Sequence, residues 1–405
     1  MIPRILYLLI HCLLCQLVLG HGLSQQAPKN ESREISFPDT AQHLTLVFDP
    51  HMHTVFSDGT VWPSIRVDEA VRDGLDAIAI TDHIESLPHI GDIPNKDQNR
   101  SFQVAADAAR DSDLLVISGG EITRKRPVGH MNAIFIKDVN KLYSVPESDV
   151  PYSYSEHKDL AQQWPAQNAV DAANEQGGFV FYNHAWWGPK NAIPVLSDFH
   201  KKNIRKGLLH GIEIVNGKVY SEDAFQIALD HNLTLIGVTD VHHLIDWDYE
   251  PHKGGHRPVT LVFAEERSAN SMKEALFDQR TAVWYKNWLM GREQHLRPLL
   301  AASLSFSDAA YQDGEILSVT ITNRCDADFH LRSLSLYGFH RHAATLTVPH
   351  HSSEQLLVRT GTIVDSLTME FEVLNAFVAP DETARLKLAV EVQESHPKER
   401  LKLRR

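Results

Sequence analysis

Short apolar segments that end in imidazole or carboxylate side chains are the feature that most restricts how this chain can fold. Residues 44–48, 77–80 and 235–238 are such segments, and each is followed within a few positions by His, Asp or Glu. Runs of this length, separated by stretches with helical spacing, are typical of strands in a buried parallel sheet. Because the carboxyl ends of parallel strands meet at one rim in α/β barrels, we predict an α/β barrel with these polar side chains gathered there.

Two pairs of residues indicate what the rim does. His51 and His53 follow one strand, and Asp240 and His242 follow another. Since residues i and i+2 of a strand project from the same face, each pair can point into one pocket. The full set of candidate metal ligands is His51, His53, Asp58, His83, Glu121, His130, His184, Asp240 and His242. Imidazoles with a few carboxylates suit zinc, manganese or iron better than calcium or magnesium, and a set this large predicts more than one ion.

Several short motifs, taken in chain order, resemble those of the polymerase and histidinol phosphatase (PHP) family. They are residues 49–54, 57–59, 74–83, 120–121, 129–130, 183–184 and 239–242. The resemblance covers residues 40–295. It implies a distorted (β/α)7 barrel that holds two or three divalent metal ions at its carboxyl-terminal rim, with phosphate-ester hydrolysis as the usual chemistry.

The resemblance also implies how the ligands divide among the ions. The first ion is expected on His51, His53, Glu121 and Asp240, the second on Glu121 as a bridge with His130 and His184, and the third on Asp58, His83 and His242. Three divalent ions against three carboxylates leave a surplus of positive charge. Such a site attracts phosphate oxygens.

The expected activity is hydrolysis of small organic phosphate esters, with diesters slightly favoured over monoesters. Water activated by the metals attacks phosphorus in line. We predict that Asp240 accepts the proton of this water. The leaving alkoxide is expected to be protonated either by His243, if a loop turns it inward, or by a solvent molecule. Two alternatives stay open: a metal-dependent hydrolase of amide or carbonyl substrates, and an inactive secreted binding protein.

Substrate contacts are predicted from residues near the ligands in sequence. Arg124 and Lys190 are expected to clamp a phosphate oxygen. Trp186 and its neighbour Trp187 either form a pocket wall for an apolar ester group or pack in the core. Arg257 is read equally as a substrate contact or as a structural residue. Another predicted strand ends at residues 213–216 and carries Glu213 and Asn216. We expect these two side chains to support the metal ligands, since carboxylates behind the ligands orient metal-bound imidazoles.

The chain divides into segments of different character. Residues 1–20 have the form of a secretory signal peptide, residues 21–40 form a polar leader, and residues 41–295 form the barrel. Residues 296–395 contain short β-rich runs separated by turn residues, which predicts a β-sandwich, and residues 396–405 form a basic tail. This order is similar to that of exported bacterial PHP phosphodiesterases, so we expect a secreted or periplasmic protein. Membrane anchoring by an uncleaved signal is the alternative, and no stable membrane span is expected after cleavage.

Charge restricts the partners of the chain. The sequence has 52 acidic and 39 basic residues, with a net charge of -13. Broad nucleic-acid surfaces depend on clustered Lys and Arg, so we expect a small phosphate-ester substrate and no such surface. The oligomeric state is left open by the sequence.

Overall fold

The computed structural model describes residues 33–187 and 193–393. The predicted signal peptide, most of the leader, Lys190 and the basic tail lie outside these residues. The described residues from Glu34 onward belong to one unit. Within the described residues, no helix is both long enough and apolar enough to cross a bilayer.

Strands and helices are interspersed along the chain up to the last helix, and all elements after it in the described residues are strands. The strands are β1 (Leu44–Asp49), β2 (Ala77–Ile80), β3 (Leu115–Thr123), β4 (His130–Ile134), β5 (Phe179–Tyr182), β6 (Gly211–Asn216), β7 (Val219–Tyr220), β8 (Thr234–Val238), β9 (Val259–Ala264), β10 (Thr281–Tyr285), β11 (Trp288–Gly291), β12 (Leu304–Asp313), β13 (Ile316–Asn323), β14 (Phe329–Ser333), β15 (Gly338–Phe339), β16 (Thr345–Val348), β17 (Ser353–Arg359), β18 (Ser366–Ala379) and β19 (Glu382–Glu391). The α-helices are α1 (Pro63–Arg72), α2 (Arg100–Ala108), α3 (Tyr154–Ala161), α4 (Ala166–Glu175), α5 (Asp198–Arg205), α6 (Glu222–Asp230), α7 (Ile245–Tyr249), α8 (Ala269–Phe277) and α9 (Glu293–Ser303). Short 3-10 helices span Val139–Leu142 and Pro251–Lys253.

The first part of the chain is a barrel. Strands β1, β2 and β3 pair in parallel, as do β5, β6 and β8. Strand β4 runs antiparallel between β3 and β5, and β9 runs antiparallel to β1 and to β10. Strand β8 completes the ring, because the Thr260 hydroxyl accepts from the Gly237 N–H at 3.0 Å and donates to the Gly237 carbonyl at 2.8 Å. The predicted α/β barrel is confirmed. It departs from a regular parallel barrel at β4 and β9, which run antiparallel to their neighbours.

The local sequence explains why these elements form. Every residue of β2, β5 and β8 is buried, which matches their unbroken apolar runs, since strands covered on both faces need no polar alternation. Helix α1 begins with Pro63 in its first turn, and Gly74, at φ 70°, lies just beyond its end. These are the residues that favour the start and the end of a helix.

The reversed strand β4 changes how one ligand reaches the rim. His130 is the first residue of β4, so the expectation that each ligand follows the end of a strand is wrong for this residue. Because β4 is antiparallel to its neighbours, its start lies at the same edge as their ends. His130 therefore still reaches the rim.

The C-terminal part is an all-β sandwich, as predicted. One sheet has the order β12-β13-β17-β15, and in the other β18 pairs with β14 and β19. Helix α9 runs directly into β12 at Leu304. The predicted β-rich region, residues 296–395, is therefore helical up to residue 303.

Strand β18 connects the sandwich to the barrel. Its C-terminal half pairs in parallel with β11, with Leu289 opposite Ala376 and Met290 opposite Phe377. Buried apolar residues of both parts also form one cluster, which includes Phe263 in the barrel and Phe371 in the sandwich. The two parts thus share main-chain hydrogen bonds and a core.

Candidate metal centre

The candidate ligands converge at the barrel rim. In three groups the potential ligand atoms lie within 4.8 Å of one another. The groups are His51, His53 and Asp240; His83, Glu121 and His130; and His53, Asp58, His83 and His242. His184 lies beside them, with its Nε2 atom 3.7 Å from Glu121 Oε1 and 3.8 Å from Asp240 Oδ2. The structure thus brings all nine side chains together.

The grouping differs in part from the division that the family resemblance implies. His53 and His83 each belong to two groups, and His184 belongs to none of the three. The expected division of ligands among particular ions therefore stays a prediction.

The group of His51, His53 and Asp240 is the most tightly packed. The Nε2 atoms of His51 and His53 are 3.0 Å apart. Asp240 Oδ1 lies 2.9 Å from the His53 nitrogen and 3.2 Å from the His51 nitrogen. Asp240 has a φ of 51°, a left-handed conformation that non-glycine residues adopt at a cost and that clusters at functional sites. Three ligand atoms that face one small volume are what a cation needs.

Glu121 lies at the centre of the site and is fully buried. Its Oε1 atom is 2.8 Å from His130 Nδ1, and its Oε2 atom is 2.8 Å from His83 Nδ1. No donor in the described residues makes a well-aligned hydrogen bond to Oε2, nor to Asp58 Oδ1, although both atoms are buried. A buried charged oxygen without a partner is costly, so a cation here would supply the missing interaction. The donor set of nitrogen and oxygen atoms fits zinc, manganese or iron.

The electrostatics of the cluster also favour cations. Burial would raise the pKa of Asp58, Glu121 and Asp240, but the surrounding imidazoles outweigh it and hold each pKa below its ordinary value. Burial, with His242 and His83 nearby, lowers the pKa of His53 to about 4. The carboxylates are thus ionised near pH 7 and His53 is neutral. The nearby carboxylates, in contrast, raise the pKa of His51, His83, His184 and His242 against the effect of burial. Metal binding would displace protons from these imidazoles, since a ligand nitrogen must be deprotonated.

Asp82 braces the loop that carries two of the ligands. Its Oδ1 atom accepts hydrogen bonds from the Thr54 N–H at 2.7 Å and the Ser57 hydroxyl at 2.6 Å. Its Oδ2 atom accepts from the Thr54 hydroxyl at 2.7 Å. Since His53 and Asp58 flank this loop, Asp82 fixes the entry of both side chains into the site.

A cavity of about 390 Å³ opens beside the metal ligands. It is lined by Asp58, His83, Ser86, Thr123, Arg124, Lys125, Arg126, Gly129, His130, Lys158, Gln162, Tyr182, Asn183, His184 and Trp187. The lining therefore combines four of the candidate ligands, four basic residues and two aromatic rings. This is a suitable surface for a small anion with an organic group.

Of the predicted substrate contacts, Arg124 lines the cavity, with one guanidinium nitrogen engaged by the protein, while Nε and Nη2 have no hydrogen-bond partner among the described residues. It is buried, and Nη1 donates to the Ala161 carbonyl at 2.9 Å and lies 3.0 Å from Glu85 Oε1. Lys158 was not predicted, because it lies on α3, distant in sequence from every ligand. Lys125 also lines the cavity.

Two predicted contacts are corrected by the structure. Arg257 is 1% exposed, its Nε atom donates to Asp73 at 3.0 Å and its Nη1 atom lies 3.5 Å from Asp49. A guanidinium committed to two buried carboxylates is structural and cannot reach a substrate. Trp186 packs partly buried against the barrel core, whereas Trp187 is 65% exposed and lines the cavity.

His243 does not line the cavity either. Its side chain is exposed, and Nδ1 lies 3.2 Å from the Thr60 hydroxyl. The loop after Asp240 turns His242 toward the ligands and leaves the next residue outside. The structure thus gives no contact that would let His243 protonate a leaving group.

The fold and the site define a metalloprotein of the barrel type, and comparison with solved structures places it more narrowly. The chain is similar to a two-domain protein of Bacteroides vulgatus that contains a predicted PHP-like metal-dependent phosphoesterase, with 37% identity, a TM-score of 0.77 and coverage of 88% of this chain and 98% of that one. Residues 304–389 match DUF5001, a family of Ig-like domains. No curated protein matches the chain. The chain belongs to the family of two-domain PHP-like metal-dependent phosphoesterases, which confirms the resemblance seen in its motifs.

Two further solved structures are more distant. PsfC from Pseudomonas syringae has 15% identity and a TM-score of 0.41, covering 64% of this chain and 96% of that one. An amidohydrolase from Chromobacterium violaceum, with bound sulfate and no metal, has 16% identity and a TM-score of 0.35, covering 48% and 87%.

Proposed function

We propose that this protein is an exported enzyme that hydrolyses small organic phosphate esters, diesters in preference to monoesters, with two or three divalent ions of zinc, manganese or iron. One observation carries the proposal. The buried Glu121 carboxylate, with an oxygen that receives no well-aligned hydrogen bond from the described residues, lies among imidazoles that adjoin a cavity with basic residues.

The ions would be held by the nine candidate ligands. When bound, they would supply an activated water and positive charge opposite the phosphate oxygens. Asp240 is ionised near neutral pH, because the imidazoles around it lower its pKa, and we assign it as acceptor of the proton of the attacking water. Its Oδ2 atom accepts a hydrogen bond from Asn216 at 3.0 Å, which fixes the orientation of the carboxylate.

The basic residues of the cavity are suited to orient the phosphate. Lys125 and Lys158 line it, and the Lys158 ammonium donates to the Tyr154 hydroxyl at 3.0 Å. The Arg126 guanidinium donates to the carbonyls of Ala185 and Trp187, so it fixes the turn that follows His184. Cationic groups at these places favour anionic phosphate oxygens over a neutral amide.

The organic part of the ester is assigned to Trp187. Its ring centroid lies 5.6 Å from that of His130 and 5.5 Å from that of His184, which places an exposed indole directly beside the candidate ligands. An aromatic surface here can cover an apolar or aromatic ester group. A diester carries a single charge and two organic groups, which suits a cavity that joins a basic wall to an indole.

The experiment that tests the function uses the purified protein. Metal analysis is combined with turnover of bis(p-nitrophenyl) phosphate, p-nitrophenyl phosphate and a cyclic amide. We expect bound divalent metal and hydrolysis of the diester above the monoester, both lost after chelation. Turnover of the amide without either phosphate ester would overturn the proposal in favour of an amidohydrolase, and a metal-free protein without activity would favour a binding protein.

Asp240→Asn tests the proton acceptor. The variant keeps the shape of the side chain but removes a ligand charge and the basic oxygen, so we expect kcat to fall by at least about 100-fold while the far-UV circular dichroism stays unchanged. Asp76→Asn is the matched control. Asp76 accepts from the Val47 N–H at 2.6 Å and precedes β2, whereas the ligand His83 follows the other end of that strand, so the variant should keep its activity. Full activity of the Asp240 variant would refute the assignment.

A further inference from the structure

A buried carboxylate behind the ligands contacts two of them directly. Glu213 lies on β6 and is fully buried. Its Oε1 atom is 2.7 Å from His51 Nδ1. Its Oε2 atom accepts a hydrogen bond from the backbone N–H of His184 at 2.6 Å. One side chain therefore joins ligands that follow β1 and β5.

Asn216 extends this connection to a third ligand. Its Nδ2 atom donates to Glu213 Oε2 at 2.9 Å and to Asp240 Oδ2 at 3.0 Å. The positions of His51, His184 and Asp240 thus depend on one hydrogen-bonded unit. His184 and Asp240 have positive φ values of 24° and 51°, so two of the three ligands are in backbone conformations that need external support.

We propose that Glu213 is a positioning residue for metal binding. It sets the tautomer of the His51 imidazole and the orientation of His184 and Asp240. The inference rests on the metal centre of the proposed function but not on its substrate. A carboxylate can only accept a hydrogen bond, so the proton of His51 resides on Nδ1. The lone pair of Nε2, the atom that faces His53 and Asp240, is then free for a cation.

Glutamine cannot replace Glu213 in this role. If the amide oxygen of Gln faces His51, its NH2 group opposes the His184 N–H and the Asn216 amide, donor against donor. If the amide is reversed, its NH2 group donates to His51 Nδ1, which moves the imidazole proton to Nε2 and blocks the ligand atom. Either orientation costs the site one of its ligands. Aspartate keeps the charge and both acceptors but is one methylene shorter.

The test compares the metal affinity of Glu213→Gln, Glu213→Asp and the wild-type protein, measured for Zn²⁺ and Mn²⁺ by competition with a chromogenic chelator. We expect affinity to fall by about 10- to 100-fold in the Gln variant and by less in the Asp variant. Asp76→Asn is the control, a largely buried carboxylate that lies 2.7 Å from Arg267 Nη1 and should bind metal like the wild type. The melting temperature of each metal-free protein is measured in parallel.

The outcomes separate positioning from simple structural support. A Gln variant that melts lower without metal but binds metal as tightly as the wild type would overturn the proposal. If the Gln variant does not fold, the test uses the Asp variant instead. Metal affinity equal to that of the wild type in the Asp variant would then also overturn the proposal. If the wild-type protein binds metal but hydrolyses no phosphate ester, the proposed function is rejected. The comparison of metal affinity between the Glu213 variants and the wild type remains valid in that case.

Discussion

Glu121 shows at the scale of single residues why the site is incomplete without a cation. Its two oxygens lie close to His83 and His130, yet Oε2 receives no well-aligned hydrogen bond from the described residues. The Asn183 amide, which donates to Oε1 at 3.1 Å, prevents the carboxylate from rotating freely. The chain thus holds an anionic oxygen among imidazoles, in a position where a bound cation would complete its interactions.

Metal should therefore stabilise the fold, and Glu121→Gln should remove most of that effect. A ligand at 100 times its dissociation constant adds about 2.7 kcal/mol to the free energy of unfolding, and we expect a matching rise in melting temperature when Zn²⁺ or Mn²⁺ is added to the metal-free wild type. Differential scanning fluorimetry with and without chelator measures it. An equal rise in the variant would show that Glu121 is not a ligand.

The ligands could be predicted from sequence because each lies in a short local motif. The pairs at 51 and 53 and at 240 and 242 need only the two-residue period of a strand. The partner of Glu213 could not be predicted, since His51 is 162 positions away and only the closed barrel brings the two together. For Arg257 and Trp186 the sequence left substrate contact and structural role open for the same reason: it gives proximity to the motifs but not the direction of the side chain.

At the scale of secondary structure, the buried strands were the most predictable elements. Strand β2 has the predicted bounds, and β1 and β8 contain the predicted segments 44–48 and 235–238, because an unbroken apolar run is typical of a buried strand. Strand β4 was missed, since its sequence begins with His130 and includes the buried polar Asn132.

The closure of the barrel depends on the absence of a side chain on β8. A Cβ atom on Gly237 would lie 2.2 Å from Val283 Cγ1 on β10, so Gly237→Ala should destabilise the protein by about 1–3 kcal/mol through overpacking. Urea unfolding measures the loss. Val283→Ala should also destabilise, but the double variant should lose less than the sum of the two, because each change relieves the other. Strict additivity would contradict this account of the contact.

At the scale of the whole molecule, the barrel and the sandwich are one structural unit. They share the β11–β18 ladder and a continuous apolar cluster. Asn375 adds to the joint, since its Nδ2 atom donates to the carbonyls of Asn287 at 2.6 Å and Asp328 at 2.7 Å. Loss of the sandwich would thus remove both hydrogen bonds and core from the barrel.

We expect a single thermal transition for the metal-free protein in calorimetry. Phe371→Ala, in the core of the sandwich, should lower the melting temperature of the whole chain, in line with a cost of about 3–5 kcal/mol for a buried Phe. Leu336→Ala is the control, because Leu336 is fully exposed on the same domain and should melt like the wild type. Two transitions, of which only one moves in the Phe371 variant, would show that the domains unfold independently.

The ladder between β11 and β18 has one more consequence. An exposed sheet edge is a template on which a second chain can add its own strand, the first step toward aggregation. Strand β18 occupies the open side of β11, and β19 and β14 in turn cover β18. The Ig-like domain therefore covers the sheet edge through which two barrels could otherwise associate.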